Sequence, residues 1–236
     1  ARGAFLGFDF HLQAEGPRLI EINTNAGGGF LAAMLGEAAL VCCGIPAHVD
    51  ASARGFEQWV SAMLTAEWRG TGRDGRPGTI AIVDEAPETQ YLYPEFLLVA
   101  HAIEHAGMKA LVAAPGDLDF SDGMLRARSE RVDLVYNRLC DFALETDPSR
   151  ALREAYLAGA AVVTPNPAAH ALYADKRRLA LLGDETWLRA AGLEVCLPEL
   201  VRSPSVGREL LGLFNPLLVA HGVKAVPCDL GTDRLD

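Results

Sequence analysis

Residues 7–29, GFDFHLQAEGPRLIEINTNAGGG, alternate with a period of two. Leu6, Phe8, Phe10 and Leu12 fall on one face, and Gly7, Asp9 and His11 on the other. In the second half Ile20 and Ile22 belong to an apolar face, while Glu21, Asn23 and Asn25 share the opposite one. Gly16 and Pro17 lie between the halves, where a hairpin turn is expected over residues 13–18. Pairing that sets Asp9 opposite Glu21 brings their Cβ atoms to about 5 Å. Two carboxylates that close repel unless a cation lies between them. With the Asn23 amide oxygen on the same face, the set is hard and all-oxygen, which suits magnesium.

A solvated hairpin face can be acidic without function. The context argues further. The segment EINTNAGGG ends a strand on alternating acid and amide, then enters a glycine loop. Asp9, the pair Glu21 and Asn23 as E-x-N, and the loop at Gly27 and Gly28 together resemble the metal-binding end of the ATP-grasp ligases. Glutathione synthetase and D-alanine–D-alanine ligase belong to that superfamily. The resemblance implies that Asp9, Glu21 and Asn23 hold Mg2+ (or Mn2+) bridging the phosphates of ATP. It also implies that the following loop shapes the acceptor pocket.

The rest of the composition sets bounds. The chain has 236 residues, half of them hydrophobic, with a net charge of −10 and a mean hydropathy of +0.14. That length and apolar content can bury one large core or two small ones. The acidic balance argues against nucleic acid or an anionic membrane as partner. The longest apolar run, residues 30–45, is interrupted by Glu37 and is too short to span a bilayer; it reads as a buried helix. The first residue is Ala, which fits a processed or truncated piece of a longer protein. Five cysteines (Cys42, Cys43, Cys140, Cys196 and Cys228) show no C-x-x-C spacing. Reduced, buried thiols and a cytoplasmic location are the expectation.

In chain order, helices are expected over 30–43 and 56–68. The three glycines before the first helix leave N–H groups that could cradle an anion. RGTGRDGRPG, residues 69–78, reads as a linker and domain boundary. Beyond it strands at 79–83, 109–114, 132–136 and 161–164 alternate with helices at 94–106 and 149–158. That alternation predicts an open, mainly parallel, Rossmann-like α/β sheet. Ligands gather beyond the carboxyl ends of such strands, where Asp84, Asn137, Arg138, Thr164 and Asn166 fall. Arg138 is the candidate for holding an acceptor carboxylate, with Asn137 beside it; the pair could equally cap a loop or contact Asp141. No P-loop occurs, and no G-x-G-x-x-G follows the first strand of this sheet. His101 and His105 stand four apart on a helix, but no Glu-x-x-His context accompanies them.

A helix is expected over 168–182, with Asp175 and Lys176 inside it. Beside the hairpin, A-D-K-R resembles the Asp-Lys helix that opens the ATP-grasp nucleotide region, and the resemblance implies that Lys176 reaches ATP phosphate. In most members that helix precedes the D…E-x-N hairpin. Here the hairpin leads, which resembles the circularly permuted members such as the glutathionylspermidine-synthetase-like proteins. The expected order is an ATP-grasp core portion (1–68), the linker, a pre-ATP-grasp-like α/β domain (79–167) and a partial nucleotide subdomain (168–236). Only Lys109, Lys176 and Lys224 occur, and no glycine-rich lid follows Lys224, so the fold is expected to be incomplete.

The reading that follows is an ATP-dependent carboxylate–amine ligase, or a fragment of one, working through an acylphosphate. Asn25, Gly27, Gly28, Asn137 and Arg138 are its substrate-binding candidates. Its partners would be small-molecule or peptide carboxylates and amines, and a homodimer is compatible with it. A non-catalytic nucleotide- or peptide-binding module is the main rival. An α/β oxidoreductase is a weaker one, because the glycine fingerprint is missing.

Overall fold

The computed structural model describes residues 3, 5–13, 16–43 and 53–174. Strands β1 (Gly7–Gln13) and β2 (Gly16–Asn23) form the antiparallel hairpin. Gly7 pairs with Asn23, Phe8 with Ile22 and Asp9 with Glu21, a register compatible with the alternation. A bulge between Asp9 and Phe10 then shifts the pairing, so that Phe10 faces Leu19. Gly16 and Pro17 belong to the second strand and not to the turn. Proline is tolerated there because a two-stranded ribbon leaves outward N–H positions unpaired.

Helices α1 (Gly29–Cys43) and α2 (Ala53–Arg69) follow. The main sheet has four parallel strands: β3 (Thr79–Val83), β4 (Lys109–Ala113), β8 (Leu134–Asn137) and β9 (Val162–Thr164), in the order β4-β3-β8-β9. Between β4 and β8 lie β5 (Leu118–Ser121), β6 (Met124–Ala127) and β7 (Glu130–Arg131). Helices α3 (Tyr93–His105), α4 (Arg150–Leu157) and α5 (Pro167–Tyr173) complete the described elements.

The sheet is covered on both faces, which is why its strands are almost wholly apolar. Alternation assigns the faces. Ile80, Ile82, Leu134, Tyr136 and Val162 point toward α1, α2 and α3, meeting Phe30, Val60, Leu64, Phe96 and Ile103. Ala81, Val83, Val135 and Val163 point the other way, toward Leu125 of β6 and Leu152 and Ala155 of α4. The first of these clusters contains residues from both sides of segment 69–78. That segment is tied down in turn: the Trp68 indole N–H donates to the Asp74 carbonyl and the Arg73 guanidinium to the Gly159 carbonyl.

Three local expectations need correction. Residues 118–131 form an antiparallel meander that the α/β pattern did not anticipate. Its two tight turns carry positive φ at Asp122 and Gly123 and at Arg128 and Ser129, and Asp-Gly is a strong turn signal. Helix α1 is not buried: Phe30 is, but Met34 is 46% and Leu35 72% exposed. Cys42 and Cys140 are free and exposed, not buried. The helix expected over 168–182 is described only as α5. Lys176, Lys224, Cys196 and Cys228 lie outside the described residues.

Candidate functional site

Two groups of expected site residues come together around the end of β2. The first is on the hairpin. Asp9 faces Glu21 directly across the ladder, and the Asn23 amide donates to Asp9 Oδ2 at 2.9 Å. All three therefore occupy one face at the open end of the ribbon. Turning the Asn23 amide over presents its oxygen in place of its nitrogen, and the two ends of an amide are a matter of assignment. The set, two carboxylates and one amide, offers hard oxygen donors of the kind a magnesium-class cation takes.

The second group lies where the hairpin meets the sheet. Asn25 donates its side-chain amide to the carbonyls of Arg138 (2.9 Å) and Leu139 (3.3 Å). Arg138, at the carboxyl end of β8, is 7% exposed and returns two bonds. Its Nη2 donates to the Asn25 carbonyl at 3.1 Å, and its Nη1 donates to the carbonyl of Ala26. The guanidinium also lies 5.5 Å from the centre of the Tyr136 ring, a cation–π distance. The planar fork expected to grip an acceptor carboxylate instead holds two backbone carbonyls of the hairpin's exit loop.

Gly27 explains the closeness of that contact. A Cβ there would sit 2.7 Å from Leu92 Cδ1 and 2.8 Å from Arg138 Nη2. Gly28 needs its freedom for another reason, a φ of +80° in open space. Asn137 is fully buried; its amide donates to the Pro165 carbonyl and its oxygen accepts from Leu139 N–H. It secures the corner between β8 and the cis Thr164–Pro165 bond.

Four polar residues that the sequence reading did not single out for roles complete the junction. Glu95 of α3 is buried, and its two oxygens accept from the N–H groups of Phe30 (2.9 Å) and Leu31 (3.0 Å). The start of α1 therefore already holds an anion, supplied by the protein itself. Glu67 of α2 accepts from the Thr164 hydroxyl at 2.6 Å and from Gly3 N–H at 3.0 Å. Thr24 bonds to His170 Nδ1 at 2.7 Å in a buried contact, and Phe142 stacks on the imidazole at 4.2 Å. Burial, with the nearby Arg138 charge adding to it, pushes His170 down to about 4. The imidazole is therefore neutral at pH 7. Its Nε2 and the Asn25 Oδ1 are buried without a hydrogen-bond partner among the described residues.

The polar strand ends behave less uniformly than expected. Asp84 after β3 is raised by burial, which outweighs the Glu85 N–H bond and the attraction of Arg138. Asn166 caps α5 by accepting from Ala169 N–H at 2.9 Å. Burial pushes the Asp141 carboxyl up, but bonds from Glu145 N–H, the Thr146 hydroxyl and N–H, and Ser149 outweigh it and hold it at about 2. No ion pair between Asp141 and Arg138 is seen among the described residues. Among these residues no group of three or more His, Cys, Asp or Glu side chains is arranged to hold a metal ion; the hairpin set has only two carboxylates, with an asparagine.

No family model and no curated protein matches the chain. Among solved structures it is similar to a glutathione synthetase-like effector from Globodera pallida in its apo form. The TM-score is 0.54 at 15% sequence identity, over 78% of this chain. That likeness shows a glutathione synthetase-like fold, compatible with the parallel sheet and hairpins seen here. The chain spans about half of that protein's length, 46%. No described helix is long and apolar enough to cross a membrane.

Proposed function

We propose that the chain is part of an ATP-dependent ligase that joins a carboxylate to an amine. The observation that carries this reading is the meeting of Asp9, Glu21 and Asn23 on one face, at the mouth of a glycine loop. The glutathione synthetase-like fold of the neighbour supports it, as does the hairpin's resemblance to the ATP-grasp metal site. In this reading the order of hairpin first and Asp-Lys helix later is a circular permutation of the usual arrangement.

Asp9, Glu21 and Asn23 would hold Mg2+ or Mn2+, and Lys176 would meet the nucleotide phosphates. Bound magnesium–ATP supplies the phosphoryl group that activates the carboxylate toward the amine. The chain's own contribution is positional. Arg138 and Asn25 fix the exit loop through backbone carbonyls, while Asn137 holds the end of β8 from which Arg138 projects. Arg138 and Asn137 are in this reading positioning residues for a small-molecule or peptide substrate.

The test is magnesium-dependent ADP release, measured on this chain and on a longer parent protein, together with Mn2+ binding followed by electron paramagnetic resonance. Glu21→Gln is expected to abolish turnover and weaken Mn2+ binding by about tenfold or more, with the unfolding midpoint unchanged. Wild-type Mn2+ affinity in that variant would remove the metal assignment. Mn2+ binding without ADP release in either protein would favour a nucleotide- or peptide-binding module.

A further inference from the structure

Asn23 is the last residue of β2 and pairs with Gly7, the first residue of β1, so the ladder of the hairpin ends at that rung. The hairpin is a two-stranded ribbon, separate from the four-stranded sheet. The direction of the Asn23 side chain therefore depends on how the chain is held just beyond it. The next residue, Thr24, turns the other way. While the Asn23 amide reaches Asp9, the Thr24 side chain is buried, and its hydroxyl lies 2.7 Å from His170 Nδ1, 146 positions along the chain.

His170 is a well-braced partner. Its backbone stands in the first turn of α5, where its N–H donates to the Asn166 carbonyl at 3.0 Å and the Asn166 side chain accepts from Ala169 N–H. Its ring is buried and lies against Phe142, with the two planes 12° apart. An imidazole held in both position and plane leaves one place for the Thr24 hydroxyl. That hydroxyl can donate or accept, so the bond forms with either tautomer of the ring.

We propose, on the premise that the hairpin trio binds a divalent cation, that His170 is a positioning residue for that site, acting through Thr24. The bond pins the residue covalently next to Asn23 and so holds the Asn23 amide beside Asp9. Asn25 ties the following residue to β8, but it stands one peptide further from the ligand. A magnesium-class ion demands near-ideal octahedral geometry, so a small swing of one ligand lowers affinity. Groups behind the ligands of a metal site act in this way.

The experiment is binding of Mn2+ alone to the full chain, followed by electron paramagnetic resonance well below the unfolding midpoint. Thr24→Val replaces the hydroxyl with a methyl group of similar volume, and His170→Leu removes Nδ1. Each is expected to weaken Mn2+ binding by about tenfold. The double variant should bind no more weakly than either single one, because both remove the same bond. Thr24→Ser keeps the hydroxyl, and His170→Asn places an amide where Nδ1 stood; both should stay within about twofold of the wild type. Thr24→Ala gives the same comparison if the valine variant does not fold, which far-ultraviolet circular dichroism shows.

A lower unfolding midpoint with wild-type Mn2+ affinity in Thr24→Val and His170→Leu would make the contact purely structural and overturn the role. Additive losses in the double variant would overturn it as well. Failure of the wild type itself to bind Mn2+ would remove the cation site and this role together, an outcome distinct from a wild type that binds and variants that match it.

Discussion

Asn25 and Arg138 bond to each other in both directions across 113 residues of chain. The Asn25 amide donates to the Arg138 carbonyl at 2.9 Å, and the Arg138 guanidinium donates to the Asn25 carbonyl at 3.1 Å. This reciprocal pair fastens the hairpin's exit loop to the carboxyl end of β8. Neither bond uses the hairpin's acidic face, so Asp9, Glu21 and Asn23 keep their chemistry while the loop beside them is held.

Replacing Arg138 should therefore act first on stability. Arg138→Ala removes two charge-assisted bonds and leaves the carbonyls of Asn25 and Ala26 unsatisfied, a loss of about 3 kcal/mol. Arg138→Lys restores the charge but not the fork and should recover part of it. Urea denaturation measures both. A change below about 0.5 kcal/mol for the alanine variant would show that the loop does not depend on this contact.

Glu95 makes a comparable prediction for α1. Its carboxylate accepts two N–H groups in the helix's first turn, so Glu95→Ala strands both and should cost about 2 kcal/mol. Gln keeps one acceptor and should cost about half as much. Amide hydrogen exchange at Phe30 and Leu31 should accelerate in both variants. Unchanged exchange there would mean that the first turn is held by something else.

His170 predicts a pH dependence. Its folded-state pKa is lowered to about 4 from the ordinary value near 6.5. The unfolded chain therefore binds the proton more readily in between. The stability of the neutral form is fully present above about pH 6.5 and is lost as pH falls through about 4. The full shift corresponds to about 3 kcal/mol, and solvent screening reduces this to about 1–2 kcal/mol. His170→Gln should flatten the stability profile over that window. The limb below it, where Asp141 leaves its value of about 2, should remain. A profile unchanged in the variant would assign the acid sensitivity elsewhere.

Much of this architecture was legible in local pattern. The period of two in residues 7–23 fixed which residues share a face, because a one-residue slip would turn them over; the pairing of Asp9 with Glu21 is one of the registers that respects it. The bulge after Asp9 was not legible, since an extra residue in one strand leaves the alternation almost unchanged. The parallel strands were visible as short apolar runs and their ends as polar residues. The meander at 118–131 did carry a signal, Asp122-Gly123 between short alternating segments, but the expectation of helices between strands obscured it.

The site divides in the same way. Sequence alone determined the acid–acid–amide set of the hairpin and the glycine loop behind it, because those residues are neighbours along two adjacent strands. Tertiary structure alone decided that Arg138 grips Asn25 and Ala26, that Glu95 occupies the anion position before α1, and that Thr24 meets His170. Each of these joins residues at least 64 positions apart. Spacing along a chain encodes the face of one element, whereas partners between elements are chosen by how those faces pack.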